Sequence, residues 1–301
     1  MTTPASPHLP LGHDELAAVH ERLLAWFERE ARDLPWRGGV PAWHVMISEL
    51  MLQQTPVARV LPVYLTWIER WPTPGDLAAE PVGEAVRAWG RLGYPRRALR
   101  LHAAAVAIVE HHGGVVPSEH DELLALPGVG AYTAAAIASF AFGQRHAVLD
   151  TNVRRVLARL VQGVEHPAPS VTAAERQLAV AAMPSHDADR WAAATMELGA
   201  LVCRASAPAC DDCPVRDACR WRRAGYPVHT GARRPSQAWD GTDRQCRGRL
   251  LAVLRETSEP VPKAALDLVW PDDVQRERCL DGLVADGLVE PLAGATFTLP
   301  R

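Results

Sequence analysis

A mainly α-helical protein with a small C-terminal α+β module is what three features of the 301-residue sequence predict. Apolar residues recur at helical spacing from Leu11 to about Trp221, and alternating strands are absent from that stretch. After about residue 235 the pattern starts afresh, with three short helices and a hairpin.

In chain order, Leu16, Val19, Leu23 and Phe27 put an apolar stripe on a first helix, and Trp43, Ile47 and Leu50 on a second. Pro72-Thr73-Pro74-Gly75, Gly113-Gly114 and Gly163 mark joints. Asp150 is a good N-cap for a helix reaching Val161, whose stripe is Val153, Val156, Leu157 and Leu160. From Gly225 to Asp243 there is Gly, Pro, Ser, Thr and Arg without period, the character of a linker, assigned to 229–243. Beyond it Arg244–Glu256 reads as a helix, Lys263–Val269 as a second, and Pro271–Asp286 as a third closed by Gly287. Leu288-Val289-Glu290-Pro291 and Thr296-Phe297-Thr298-Leu299 flank Ala293-Gly294 as a hairpin. Residues 244–301 therefore read as a winged-helix-like domain, made acidic by Asp272, Asp273, Glu277 and Asp281 and so suited to packing or a protein partner rather than duplex binding.

A chain of this length, 48% apolar, can form two domains with separate cores. No run of eighteen apolar residues exists, and the polar, proline-rich residues 1–11 read as disordered and lack signal-peptide character. A reducing cytoplasm is expected, with the six cysteines unpaired. The net charge of −3 excludes a wholly basic nucleic-acid coat. Local basic clusters remain, Arg87, Arg91, Arg96, Arg97 and Arg100 and again Arg216, Arg220, Arg222, Arg223, Arg233 and Arg234, either solvated or facing phosphate.

Four motifs carry chemistry. Cys203, Cys210, Cys213 and Cys219 are spaced C-x6-C-x2-C-x5-C, a metal set in a cytosolic protein. Only one C-x2-C knuckle is present, which favours a [4Fe–4S] cluster over zinc. Leu126-Pro127-Gly128-Val129-Gly130 precedes the Ala-rich run 131–141, a turn of free amides at a helix N-terminus that suits a phosphate or is an ordinary helix–helix turn. Val148-Leu149-Asp150-Thr151-Asn152-Val153 places a capping carboxylate nearby in sequence. In Ser48-Glu49-Leu50-Met51-Leu52-Gln53-Gln54-Thr55 a single carboxyl stands in an apolar helix, where desolvation favours the protonated acid.

Together with Leu34-Pro35-Trp36-Arg37, Gly93-Tyr94 and Met196-Glu197-Leu198-Gly199-Ala200, and in the same order, these motifs resemble the helix-hairpin-helix DNA glycosylases, more narrowly the MutY-type adenine glycosylases. The resemblance spans about residues 12–228. It implies a two-lobed helix-hairpin-helix glycosylase fold, a six-helix lobe of about 38–147 and an iron–sulfur lobe of about 12–37 plus 148–228, acting as a monomer on double-stranded DNA at the bacterial nucleoid.

The catalytic set so implied is Glu49, Asp150, Tyr132 and Asn152. Glu49 protonates adenine at N7, Asp150 stays ionised to stabilise the oxocarbenium-like sugar, and Asn152 orients Asp150 or the water. Tyr132 stands where the endonuclease III branch carries its nucleophilic lysine, and Lys263 is the only lysine in the chain, so a monofunctional enzyme is expected. Arg32, Trp36, Arg37, Leu52, Val57 and Glu197 surround the extruded adenine. Gln54, Thr55, Leu92 and Tyr94 wedge into the duplex, although Pro95 replaces the second aromatic often found after Tyr94. Gly128, Gly130 and Arg154 meet the DNA backbone, and the four cysteines hold the [4Fe–4S] cluster. The preferred substrate is adenine opposite 8-oxoguanine or guanine. A thymine glycosylase for T·G mispairs is the alternative, disfavoured by Gln53-Gln54 and Glu197, and a non-catalytic redox sensor would not need Glu49 and Asp150. Residues 235–301 are too few for the Nudix-like domain with which many relatives read 8-oxoguanine, so discrimination is expected in the glycosylase lobes.

Overall fold

The computed structural model describes residues 11–229 and 239–301. The N-terminal segment 1–11, but for Leu11, and most of the linker 229–243 lie outside the described residues. No helix among the described residues is long and apolar enough to cross a membrane.

The helices in chain order are α1 (His13–Glu30), α2 (Ala42–Leu52), α3 (Val57–Arg70), α4 (Pro74–Ala78), α5 (Val82–Trp89), α6 (Arg96–His112), α7 (His120–Ala125), α8 (Ala131–Phe142), α9 (Thr151–Leu157), α10 (Ala173–Ala182), α11 (Ala188–Leu201) and α12 (Arg220–Arg223). The tail adds α13 (Asp243–Arg255), β1 (Val261–Pro262), α14 (Lys263–Asp267), α15 (Asp273–Ala285), β2 (Glu290–Leu292) and β3 (Thr296–Thr298). The chain divides into two compact units.

The first unit takes in the described parts of 1–40, 118–124 and 130–233. Its core joins Val19, Leu23 and Trp26 of α1 to Val153, Val156 and Leu157 of α9, Leu178 of α10, and Trp191 and Leu198 of α11, with Leu11 buried among them. Asp150 caps α9 as its sequence suggests, accepting from the Val153 amide at 2.6 Å. The expected helix to Val161 changes character after Leu157. Ala158–Gln162 forms a π turn that ends on Gly163 in the left-handed region, φ 77°. Such a widened turn re-aims the side chains it carries, here Arg159.

The second unit comprises residues 41–117, 125–129 and the described part of 234–301. Helix α2 is buried on nearly every side, from Trp43 to Met51. Trp67, Trp71 and Trp89 meet edge to face at 4.7 and 5.7 Å, and the Trp43 indole donates to the Trp71 carbonyl at 3.0 Å. Pro72–Gly75, which the sequence marks only as a joint, is a helix start: Thr73 and Asp76 form a reciprocal capping box for α4.

The C-terminal module folds as expected, three helices and a hairpin, with one addition. β1 pairs antiparallel with β3, giving a three-stranded sheet of order β1-β3-β2, the winged-helix arrangement. Two residues are too short a strand to leave an alternation signal, so only pairing reveals it. Asp272 rather than Pro271 opens α15, accepting from the Gln275 amide at 2.8 Å.

Candidate active site

Glu49 lies on α2, 5% exposed, between the buried Ser48 and Leu50. Ser48 donates its hydroxyl to the Val45 carbonyl at 2.8 Å. The burial of α2 explains why a lone acid could be singled out in sequence: seven of its neighbours on the helix are buried with it.

In the first unit Asp150 heads a hydrogen-bond chain. One carboxylate oxygen takes the Val153 amide and the other takes Asn152 Nδ2 at 2.8 Å. Asn152 Oδ1 in turn accepts from Arg155 Nη2 at 2.7 Å, and Arg155 reaches the carbonyls of Gly199 and Cys203, both at 2.7 Å. Gly199 is required here, since an added Cβ would stand 2.6 Å from the Asn152 Cβ. Burial pushes the Asp150 carboxyl up from its ordinary value, and the Val153 and Asn152 donors and the Arg155 charge pull against that without cancelling it. Its ionisation therefore depends on these fixed donors. Sequence reading named Asp150 and Asn152 but not Arg155, whose i+3 spacing from Asn152 was the available signal.

The same unit gathers Arg32, Arg37 and Glu197. The fully buried Glu197 carboxylate accepts from Arg32 Nε at 2.7 Å, Arg32 Nη2 at 2.8 Å, the Arg32 amide at 3.0 Å and Arg37 Nη2 at 2.8 Å. Burial works to raise its carboxyl, but the two guanidiniums and the amide outweigh it and hold it at about 2. With both oxygens so engaged, what Glu197 offers is the placement of two guanidiniums. Arg37 also lies over the Phe27 ring at 5.3 Å. Trp36 is buried in the same loop. Tyr132 packs against the cluster of Ala136, Val148 and Ala192, beside Met196. Arg154, expected at DNA, is committed to Glu175 through two bonds of 2.6 and 2.9 Å and to the Ala168 carbonyl at 2.7 Å, a tie between α9 and α10.

The second unit assembles the expected wedge residues. Gln54 (φ 56°) and Tyr94 (φ 48°) both hold the left-handed conformation, which costs a side-chain-bearing residue of order 1 kcal/mol and persists where surroundings enforce it. The enforcement is visible. Trp89 Nε1 donates to the Gly93 carbonyl at 2.8 Å, and Arg59 donates to that of Arg91. Arg97 lies over the Tyr94 ring at 4.5 Å and donates to the Gln53 carbonyl, joining the two loops. Tyr94 remains about half exposed while Leu92 and Thr55 are buried. Leu52 and Val57, at the two ends of the Gln53–Pro56 turn, are half-buried. Sequence placed Arg97 only in a basic cluster, because nothing local tells where a long side chain will turn.

In the hairpin, Gly128 adopts φ 80° and an added Cβ would lie 2.6 Å from the Arg100 Cβ, so a side chain is excluded twice over. Gly130 is the extended N-cap of α8, offering a helix N-terminus that no side chain caps.

Of the four cysteines, Cys203 lies beside the Arg159 guanidinium and Cys219 donates to the Arg159 carbonyl at 3.6 Å. This fully buried guanidinium donates to the carbonyls of Arg204 at 2.8 Å and Glu165 at 3.0 Å, approaches Cys203 Sγ at 3.4 Å and lies over the Trp221 ring at 4.6 Å. Burial, and behind it the neighbouring sulfurs, pushes Cys213 up to about 12 and raises Cys210 and Cys219. Among the described residues no trio of His, Cys, Asp or Glu is drawn together closely enough to hold a metal ion. The donor chemistry nonetheless fits an anionic cluster: four free thiols fall within one short stretch of chain, and the buried Arg159 cation lies beside one of them, Cys203.

Residues 47–181 match the HhH-GPD superfamily of base excision DNA repair proteins. The chain is 53% identical over 279 residues to the adenine DNA glycosylase of Mycolicibacterium smegmatis, covering 92% of this chain and 94% of that protein. It is 43% identical over 232 residues to the human adenine DNA glycosylase, covering 73% of this chain and 42% of the human one. Among solved structures, a thermostable thymine-DNA glycosylase superposes with TM-score 0.62 at 25% identity over 70% of this chain and 98% of that one. An endonuclease III–DNA complex, at 24% identity and TM-score 0.61 over 71% and 98%, shares the fold. A match over 92% of the chain must take in much of the C-terminal module, so the mycobacterial relative carries a similar tail. Likeness of that order along nearly the whole length sets the adenine branch apart from the other branches that share the fold, and the chain belongs to the adenine DNA glycosylases of the HhH-GPD base excision repair superfamily.

Proposed function

We propose that the protein hydrolyses the N-glycosidic bond of adenine mispaired with 8-oxoguanine or guanine in duplex DNA, as a monofunctional glycosylase at the nucleoid. The observation that carries this reading is the contrast between two carboxyls, Glu49 on the desolvated helix α2 and Asp150 in a chain of fixed donors. Glu49 gives its proton to adenine N7, the C1′–N9 bond breaks with its electron pair leaving on adenine, and Asp150 stabilises the positive charge on the sugar. Water adds to C1′ and passes its proton to the Glu49 carboxylate, which restores the acid and leaves free adenine and an abasic sugar. Asn152 keeps Asp150 oriented, and Tyr132 occupies the place of a nucleophile without supplying an amine.

Arg32, Trp36, Arg37, Leu52 and Val57 surround the extruded base, with Glu197 fixing the two arginines. Gln54, Thr55, Leu92 and Tyr94 fill the stack it leaves. Gly128 and Gly130 present amides to phosphate, and Arg154 meets the DNA backbone from α9, where Glu175 holds it. Cys203, Cys210, Cys213 and Cys219 would hold a [4Fe–4S] cluster, which fixes the loop bearing Arg204, Arg216 and Arg220 for DNA contact and supplies no step on the sugar. The C-terminal module is a packing domain open to a protein partner.

The test is incubation of the protein with duplexes carrying A opposite 8-oxoguanine, A opposite G and T opposite G, followed by alkali. Cleavage at adenine in the first two is expected; cleavage at thymine instead would overturn the assignment.

A further inference from the structure

The C-terminal module is docked onto α5 and α6 by contacts built from both sides. Arg87, in the last turn of α5, sends Nη1 to the carbonyls of Arg255 at 2.5 Å, Thr257 at 2.8 Å and Leu254 at 3.4 Å. It thereby satisfies the end of α13, where the last carbonyls lack helical donors. Arg255, in the last turn of α13, returns Nε to the Val86 carbonyl at 3.0 Å, and burial lowers its guanidinium to about 10. Gly83 of α5 is as tightly matched: an added Cβ would stand 2.3 Å from the Pro300 carbonyl oxygen. At the start of α6, Arg96 donates to Asp286 at 3.0 Å, and Arg247 donates to the other oxygen of that carboxylate.

Between α5 and α6 runs the loop that carries Leu92 and the left-handed Tyr94. A strained loop keeps its shape only if its ends are held. Arg97 and Trp89 hold it from within, and the module holds the helices at either end. The module itself offers little to phosphate. Lys263 is engaged by Asp267 and Glu277, and Arg276 by Asp267 and Asp273.

We propose that the C-terminal module sets the preference for 8-oxoguanine over guanine opposite adenine, acting as a brace on the Leu92–Tyr94 loop, with Arg87 and Arg255 the positioning residues that couple the two. The proposal rests on the reading of Leu92 and Tyr94 as the wedge beside the opposite base. It assigns the module an indirect part in lesion discrimination, without base contact.

The test compares single-turnover excision from A·8-oxoguanine and A·G duplexes by the full-length protein, Arg87→Met, Arg255→Met, Tyr94→Ala and Val274→Ser. Val274 is exposed on α15 and touches none of these contacts. The ratio of the two rate constants is expected to fall about tenfold in Tyr94→Ala and in both arginine variants, equivalent to ~1.4 kcal/mol of lost discrimination, and to stay unchanged in Val274→Ser. An unchanged ratio in the arginine variants, with Tyr94→Ala still impaired, overturns the brace and leaves the wedge standing. An unchanged ratio in Tyr94→Ala overturns the wedge reading and the brace with it. If the arginine variants do not fold, Asp286→Asn, which removes the carboxylate charge that Arg96 and Arg247 share, carries the same test: a lowered ratio supports the brace and an unchanged one overturns it.

Discussion

Glu197→Gln isolates what the buried triad contributes. The substitution keeps shape and removes the charge that two guanidiniums share. The Glu197 carboxyl is held at about 2 against an ordinary 4.5, and at 1.36 kcal/mol per pKa unit that gap corresponds to about 3.4 kcal/mol favouring the ionised form in the folded protein. The Arg32 side chain is 37% exposed, so water takes up part of the loss, and ~2–3 kcal/mol is the expected destabilisation. Urea unfolding of the parent and the variant, followed by tryptophan fluorescence from pH 7 to pH 3, measures it. Because folding depresses this pKa, the contribution is fully present above about 4.5 and is lost as pH falls through about 2. The gap between the two proteins should stay constant from pH 7 to about pH 5 and narrow below that. A loss under ~0.5 kcal/mol, or a gap that widens in acid, would refute the reasoning and return Glu197 to direct contact with the base.

Borohydride should trap no covalent protein–DNA adduct, since Tyr132 replaces the amine and the only lysine, Lys263, is bound to Asp267 and Glu277; a trapped adduct mapping to the glycosylase region would contradict this. Protein purified without air should carry iron and visible absorption, and Cys210→Ser should lower both the iron content and DNA affinity; zinc in place of iron would overturn the cluster assignment. Gly128→Ala should destabilise by about 1–3 kcal/mol and weaken duplex binding, as both the φ of 80° and the Arg100 Cβ oppose a side chain; a neutral effect in thermal melting would mean the hairpin is softer than its geometry.

Much of this was legible in sequence because local chemistry decided it. The apolar run around Glu49, the Asp150 cap and the Pro-Gly turn before α8 each state their own geometry within a few residues. The arginines did not. Arg87, Arg97, Arg154 and Arg159 look alike in sequence, yet one closes α13, one staples two loops, one ties α10 and one lies buried beside Cys203. Their directions are set by partners distant in sequence, for Arg87 as many as 170 positions away. The strained φ at Gln54 and Tyr94 was hidden for the same reason, since neither residue type announces it. The two-residue β1 exists only through its pairing with β3.

The most direct test of the central claim, that Glu49 is the acid that protonates adenine, is Glu49→Gln measured for excision and for binding on the same A·8-oxoguanine duplex. Single-turnover excision should fall by at least ~100-fold while the dissociation constant stays within about threefold of the parent, because the substitution removes a proton and keeps the shape. Excision that survives, or binding that is lost in step with it, would show that Glu49 supports the fold of α2 and leaves the chemistry to another group.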